Sequence, residues 1–169
     1  MNLQYDKFHF FAITVGYEDE HQIGIKIYQN PGVKDGAIER IEHCEETNLY
    51  VLVDINISLA KSYSSATFRN EFDPTLPEFK IPPNDFSKVL RKVYEGFADA
   101  STITTVIKLK AGEFLYVGER KYPIIELSVR GDKRKTDQDD TVDHLASAIN
   151  MGTHFQSDKV ALEVPMITA

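Results

Sequence analysis

Histidines, one cysteine and two groups of carboxylates are the residues of this chain whose types could do chemistry. His9, His21, His43, His144 and His154 form neither a His-Glu-x-x-His pair nor a spaced Cys/His set, so the grammar of a zinc site is absent. His144 and Ser147, like His154 and Ser157, share the spacing His-x-x-Ser. Phosphoester chemistry from a strand needs the hydroxyl two residues from the imidazole, where both share one face. A spacing of three, with His144 on an expected helix, does not supply that. Asp137, Asp139, Asp140 and Asp143 gather oxygen ligands of the kind calcium or magnesium takes. The glycine at the sixth position and the closing glutamate of an EF-hand are both missing, so no metal site is assigned. Carboxylates entering a helix N-terminus, where they complement its dipole, are the simpler account.

Cys44 sits among Glu42, Glu45 and Glu46, which oppose a thiolate, although His43 beside it would favour one. Asp54 lies inside an apolar run, beside Tyr50 and Asn56 on its less apolar side. With a histidine in reach it could act as the acid or base of a small hydrolase. On a wet sheet face it would simply meet water. Lys133, Arg134 and Lys135 could touch a phosphate, but three basic residues in a loop are a weak signal. No Gly-x-Ser-x-Gly elbow, Walker loop or dinucleotide fingerprint occurs, and no cofactor is implied.

Composition bounds the rest. A formal charge of −7 opposes broad contact with phosphate backbones, which makes a nucleic-acid partner unfavourable. The acidity between Glu18 and Glu46 reads as a solvated edge rather than a DNA mimic. A single cysteine excludes an internal disulfide. No uncharged apolar run approaches the roughly 20 residues of a membrane helix, and the first residues are too polar for a signal peptide. The expectation is a soluble, cytoplasmic protein with no membrane partner. Hydrophobic content of 42% and charged content of 27% are those of a globular chain, read as one domain over residues 1–169.

The elements that must position these residues follow from hydrophobic period. Residues 48–60 alternate, with Val51, Val53, Ile55, Ile57 and Leu59 on one side, and read as a long central strand. Residues 8–15 and 22–28 read as a hairpin, and 36–42 as a short edge strand. Residues 61–83, with Pro74, Pro77, Pro82 and Pro83, read as a long loop or arm. Its Tyr63, Phe68, Phe72 and Phe79 make it a candidate interaction surface, docked on its own domain or on another chain. Phe86, Val89, Leu90, Val93, Tyr94 and Phe97 give a helical stripe. Residues 103–109, 114–117 and 122–130 read as an antiparallel meander, and 131–140 as an exposed charged loop. A second helix is expected over 141–151 with Gly152 as its left-handed stop, and a last strand over 159–168.

The fold expected is therefore α+β. It has a mainly antiparallel, twisted sheet of about seven or eight strands, open or partly closed into a barrel, with two helices packed on it. The function expected is a non-enzymatic assembly or protein–protein interaction protein, a repeating structural component of a larger particle, working as a homo-oligomer or with a protein partner. The alternatives are a small-ligand carrier with an apolar cavity and a small hydrolase using Asp54 and a histidine.

Overall fold

The computed structural model describes residues 10–19, 22–29 and 45–168. The edge strand expected over 36–42, together with Cys44, His9, His21 and His43, lies outside the described residues. In chain order the elements are β1 (Phe10–Asp19), β2 (Gln22–Gln29), β3 (Glu45–Thr47), α1 (Leu49–Ala60), β4 (Thr67–Phe72), β5 (Phe79–Ile81) and α2 (Pro83–Gly96). β6 (Thr102–Val117), β7 (Arg120–Gly131), α3 (Asp139–Ser147), β8 (Gly152–Phe155) and β9 (Lys159–Pro165) complete them.

Five strands form the main sheet, in the order β4-β6-β7-β9-β8. β4 runs parallel to β6 and the other pairs are antiparallel, so the sheet is mixed and does not close into a barrel. β1 and β2 pair with each other, and β3 pairs with β5 in a second small ribbon. The α+β class stands. Three of the main sheet's four pairings are antiparallel, so the mainly antiparallel order holds only in part. The barrel, the single sheet of seven or eight strands and the pair of helices do not hold, because the main sheet has five strands and three helices occur among the described residues.

Residues 48–60 form a helix, not the central strand. The comb Leu49, Leu52, Val53, Asn56, Ile57 and Ala60 is buried, at the spacing of a helix face. Asn48 caps it, its Oδ1 accepting from the amides of Tyr50 (3.0 Å) and Val51 (3.4 Å). The odd-numbered residues that suggest alternation are split: Val53 and Ile57 point inward, and Val51, Ile55 and Leu59 are about half exposed.

The three helices cover one sheet face. Ile103 and Ile107 of β6, Ile125, Leu127 and Val129 of β7, and Val160, Leu162 and Val164 of β9 share a single core with Val53 and Ile57 of α1. Phe86, Leu90 and Tyr94 of α2 and Val142 of α3 belong to it too. Tyr94 reaches through the core to Thr105 on β6 with a hydroxyl contact of 2.8 Å, which satisfies two buried polar groups at once. Residues 61–83 are built into this domain and hold β4 and β5. A single strand, β6, replaces the two expected over 103–117, with a register irregularity between Lys110 and Phe114. Asn150, at φ 61°, takes the left-handed position expected of Gly152, which instead opens β8.

Candidate functional site

The residues richest in charge and in close packing meet at the carboxyl end of β7, where α2 ends and α3 begins. Gly131 closes β7 directly beneath Phe97. A Cβ there would stand 2.7 Å from the Phe97 ring and 3.2 Å from Ala100, so only glycine lets the strand pass so close. Gly96 makes a matching approach at the end of α2, where a Cβ would meet the Lys135 carbonyl at 3.3 Å. The Lys135 amide donates to the Gly96 carbonyl at 2.8 Å and fixes the loop over 132–138 against the helix end. Asp132 locks its other side, accepting from the amides of Ser101 (2.7 Å) and Thr102 (3.3 Å). These amides hold the Asp132 carboxyl below the usual carboxylate range.

The three basic residues have three different positions. Arg134 turns inward, its side chain only 2% exposed. Its guanidinium grips Asp139 bidentately at 2.8 Å and 2.8 Å, donates to the carbonyls of Gln156 (3.0 Å) and Lys135 (3.2 Å), and lies over the Phe155 ring. Burial pushes the Asp139 carboxyl up, and the pull of Arg134 does not fully offset it, with Asp140 and Asp137 adding to the rise. Lys135 pairs with Asp99 at 2.8 Å on the surface. Lys133 stands exposed beside them. Residues 131–140 are thus an exposed charged segment with a buried cation at its centre.

A nucleotide tail needs positive charge, and usually a glycine-rich turn whose amides cradle the phosphates. Lys133 and Lys135 can meet a phosphate as point charges. The loop over 132–138 contains no glycine, and among the described residues the glycines with positive φ, Gly112 and Gly118, belong to β6 and the β6–β7 turn. Arg134 and Lys135 are already paired with Asp139 and Asp99, and Asp132, Asp137 and Asp140 lie on the same segment, so the corner offers a phosphate little net positive charge and no backbone cradle. Among the described residues no group of three or more His, Cys, Asp and Glu could hold a metal ion. Asp139 is taken by Arg134, and Asp143 accepts from the Thr153 hydroxyl.

The other sequence candidates lie apart from this corner. Asp54 is on the exposed side of α1 with Val51, Ile55, Ser58 and Leu59. His154 lies instead on the open sheet face, its Nε2 3.0 Å from Glu163. Phe79 is a core residue at 1% exposure, Phe72 stacks on Tyr50 at 5.4 Å, Phe68 tilts against Tyr94 at 6.3 Å, and Tyr63 is exposed. The Tyr50 hydroxyl donates to the Asp73 carbonyl and ties this segment to α1.

The open sheet face carries an ion-pair lattice. Lys110 bonds Glu163 at 2.8 Å and Glu113 at 2.6 Å, while Lys108 and Lys159 flank Glu126. Burial alone would raise the Glu163 carboxyl, but bonds from Lys110 and His154 win and hold it below its ordinary value. A carboxyl depressed by folding contributes stability above its unfolded value, about 4.3, which is lost as pH falls through the folded value. Glu163→Gln should therefore make the acid limb of a stability–pH curve less steep and leave the rest of that limb to the other carboxylates held low by folding, Glu126 and Asp132 among them. An unchanged acid limb in urea melts from pH 7 to pH 3 would count against the lattice.

No family model matches the sequence, and no curated protein matches it. Solved structures do. The histidine kinase AdeS of Acinetobacter baumannii superposes with a TM-score of 0.50 at 11% identity, covering 79% of this chain and 75% of that one. A histidine kinase from Burkholderia phymatum superposes with a TM-score of 0.51 at 8% identity, covering 80% and 76%. At such identities the likeness is one of fold. The fold is thus that of histidine kinase structures, and this overturns the expected non-enzymatic assembly component. The segment over 61–83, expected as an arm, supplies β4 and β5 to this domain, and the main sheet is open rather than closed around the cavity expected of a carrier. Among the described residues no helix is long and apolar enough to cross a membrane.

Proposed function

We propose that this chain is a kinase-type nucleotide-binding domain that holds the phosphates of a nucleotide at the corner of α2, β7 and α3. The likeness of fold to two histidine kinases, over about four-fifths of the chain, carries the reading. The basic residues at the carboxyl end of a sheet strand support its placement. Lys133 and Lys135 would meet the phosphates, and Gly96 and Gly131 would keep the helix end close to the loop that carries them. The role given to these residues is binding alone.

Without a glycine cradle the affinity should be modest, with a Kd of roughly 0.1–1 mM. Calorimetric titration with magnesium ATP and ADP reads it directly. Saturable binding that weakens several-fold in Lys133→Ala, and also with added salt, is the expected result. No saturable binding at several millimolar nucleotide would overturn the proposal. A protein partner, a second copy included, belongs to the same proposal. Light scattering over a concentration series tests self-association, which requires a mass at a multiple of 19.2 kDa.

A further inference from the structure

The main sheet ends on one side at a strand that is fit to receive another. β4 is six residues long, against four in β8 at the opposite edge. Its register with β6 is unbroken, from Thr67 opposite Thr102 to Phe72 opposite Ile107. It has none of the devices that blunt an edge, neither lysine nor proline nor bulge. The Thr67 amide donates to the Ser101 carbonyl and the Asp73 amide to the Ile107 carbonyl, both at 2.9 Å. Backbone groups alternate sides along a strand, so residues 67, 69, 71 and 73 face β6. The amides and carbonyls of Phe68, Asn70 and Phe72 point away from it, and among the described residues no strand meets them. Side chains alternate between the two faces. Arg69 and Glu71, opposite Thr104 and Val106, stand exposed on the open face, where Glu71 shares a shallow groove with Thr104, Val106 and Lys108. Among the described residues neither Arg69 nor Glu71 has an ion-pair partner.

We propose that β4 pairs antiparallel with β4 of a second copy, about a two-fold axis at Asn70, which rests on the self-association proposed above and gives it a surface. Two five-stranded sheets then join into one, with their open faces on the same side. Charge fixes the register. With Asn70 opposite Asn70 of the second copy, Arg69 meets the other Glu71 twice over, and Phe68 meets the other Phe72. Phe68, Asn70 and Phe72 form the hydrogen-bonded pairs, with about six bonds in all. Arg69 and Glu71 fall at the non-hydrogen-bonded pairs, where Cα atoms stand about 4.5 Å apart and side chains are closest. A slide by one residue turns the side chains to the wrong face. The next registers that keep the faces set Arg69 against Arg69 or Glu71 against Glu71, and like charges directly opposite are destabilising. An unrelated extended segment would find the same amides without this self-complementary charge. A six-residue ribbon buries far less than the about 800 Å² that each partner brings to a standard interface. The dimer is therefore weak, with a Kd of about 10–100 μM.

The test is light scattering on the full chain, in a concentration series up to about 0.5 mM. It compares the parent, Arg69→Glu, Glu71→Arg and an equal mixture of the two variants. The parent should move toward twice 19.2 kDa as concentration rises. Each variant alone sets like charges opposite at both symmetric positions and should weaken the dimer about tenfold. In the mixture every glutamate again faces an arginine, so a heterodimer should form with close to the parent's affinity. Both positions are exposed, and circular dichroism should show each variant folded. If either is not, Asn70→Pro replaces the pair. It removes an outward amide that β6 does not use and should leave a folded monomer. A dimer that persists in the variants overturns the β4 edge and leaves self-association standing. Two monomeric variants that stay apart on mixing overturn the Asn70-centred pairing. A parent that is monomeric throughout overturns self-association and this surface together, and leaves nucleotide binding to its own titration.

Discussion

Asn56→Asp should cost about 3–5 kcal/mol at pH 7, the scale of a buried charge left without a partner. Asn56 is 3% exposed on the inner face of α1, where its Nδ2 donates to the Leu52 carbonyl at 2.8 Å and the Ser87 hydroxyl at 3.2 Å. A carboxylate has no proton for either oxygen and would face the carbonyl at contact distance. The loss should also depend on pH. Burial raises the folded-state pKa of such a carboxyl, so the cost is small below the unfolded value of about 3.9. It grows as pH rises from there to the folded value and is constant beyond it. Urea melts at pH 3.5 and pH 7 would measure both limbs. A strand with Asn56 on a wet face would tolerate the change at every pH, so a neutral result would restore that reading of residues 48–60.

Arg134→Met should be nearly as damaging, at about 3 kcal/mol or more. The methionine keeps the stem against Phe155 but abandons Asp139 and two backbone carbonyls. Asp139, already pushed up by burial, then loses the one cation pulling it down. Because a raised carboxyl gives its stabilising share below its folded value and loses it above, the variant should be worst toward neutral pH. Adding Asp139→Asn removes the stranded charge and should restore part of the loss. Strict additivity of the two substitutions in denaturant melts would show that the bidentate pair is not energetically coupled. The same variant bears on the proposed nucleotide binding, since Arg134 anchors the loop that carries Lys133 and Lys135.

Much of the sheet is legible in the sequence because its strands obey period two against a single core. Residues 122–130 alternate cleanly, and the Ile125, Leu127 and Val129 expected to face inward do so. The stripe from Phe86 to Tyr94 is legible as a helix because its apolar residues recur at helical spacing, with Pro83 opening it. α1 misleads because β-branched residues occupy it on both sides. Val51, Ile55 and Leu59 extend an alternation that the buried comb does not need, and propensity yields to tertiary packing. The comb itself and the Asn48 cap are the signals that could have corrected it.

The parallel placement of β4 has no sequence signal. Parallel pairing is fixed by the path of the intervening chain and not by side-chain alternation. The charged corner is half visible. The basic triplet and the acidic group both stand out in the sequence, but the burial of Arg134 depends on Phe155 and Gln156, which arrive from far along the chain. The nucleotide reading has no motif to announce it, since the loop lacks glycines.

That parallel strand also sets an order of events. β6 with β7, and β8 with β9, join as antiparallel neighbours that close after short stretches of chain, whereas β7 meets β9 only across α3 and β8. β4 meets β6 only across β5 and α2, and as an edge strand it is held on one side alone, so its pairing should come late. Truncating Phe68 or Phe72 should then speed unfolding while leaving the refolding rate nearly unchanged in stopped-flow traces. The edge of the sheet that looks most like an ordinary neighbour would be the first to leave.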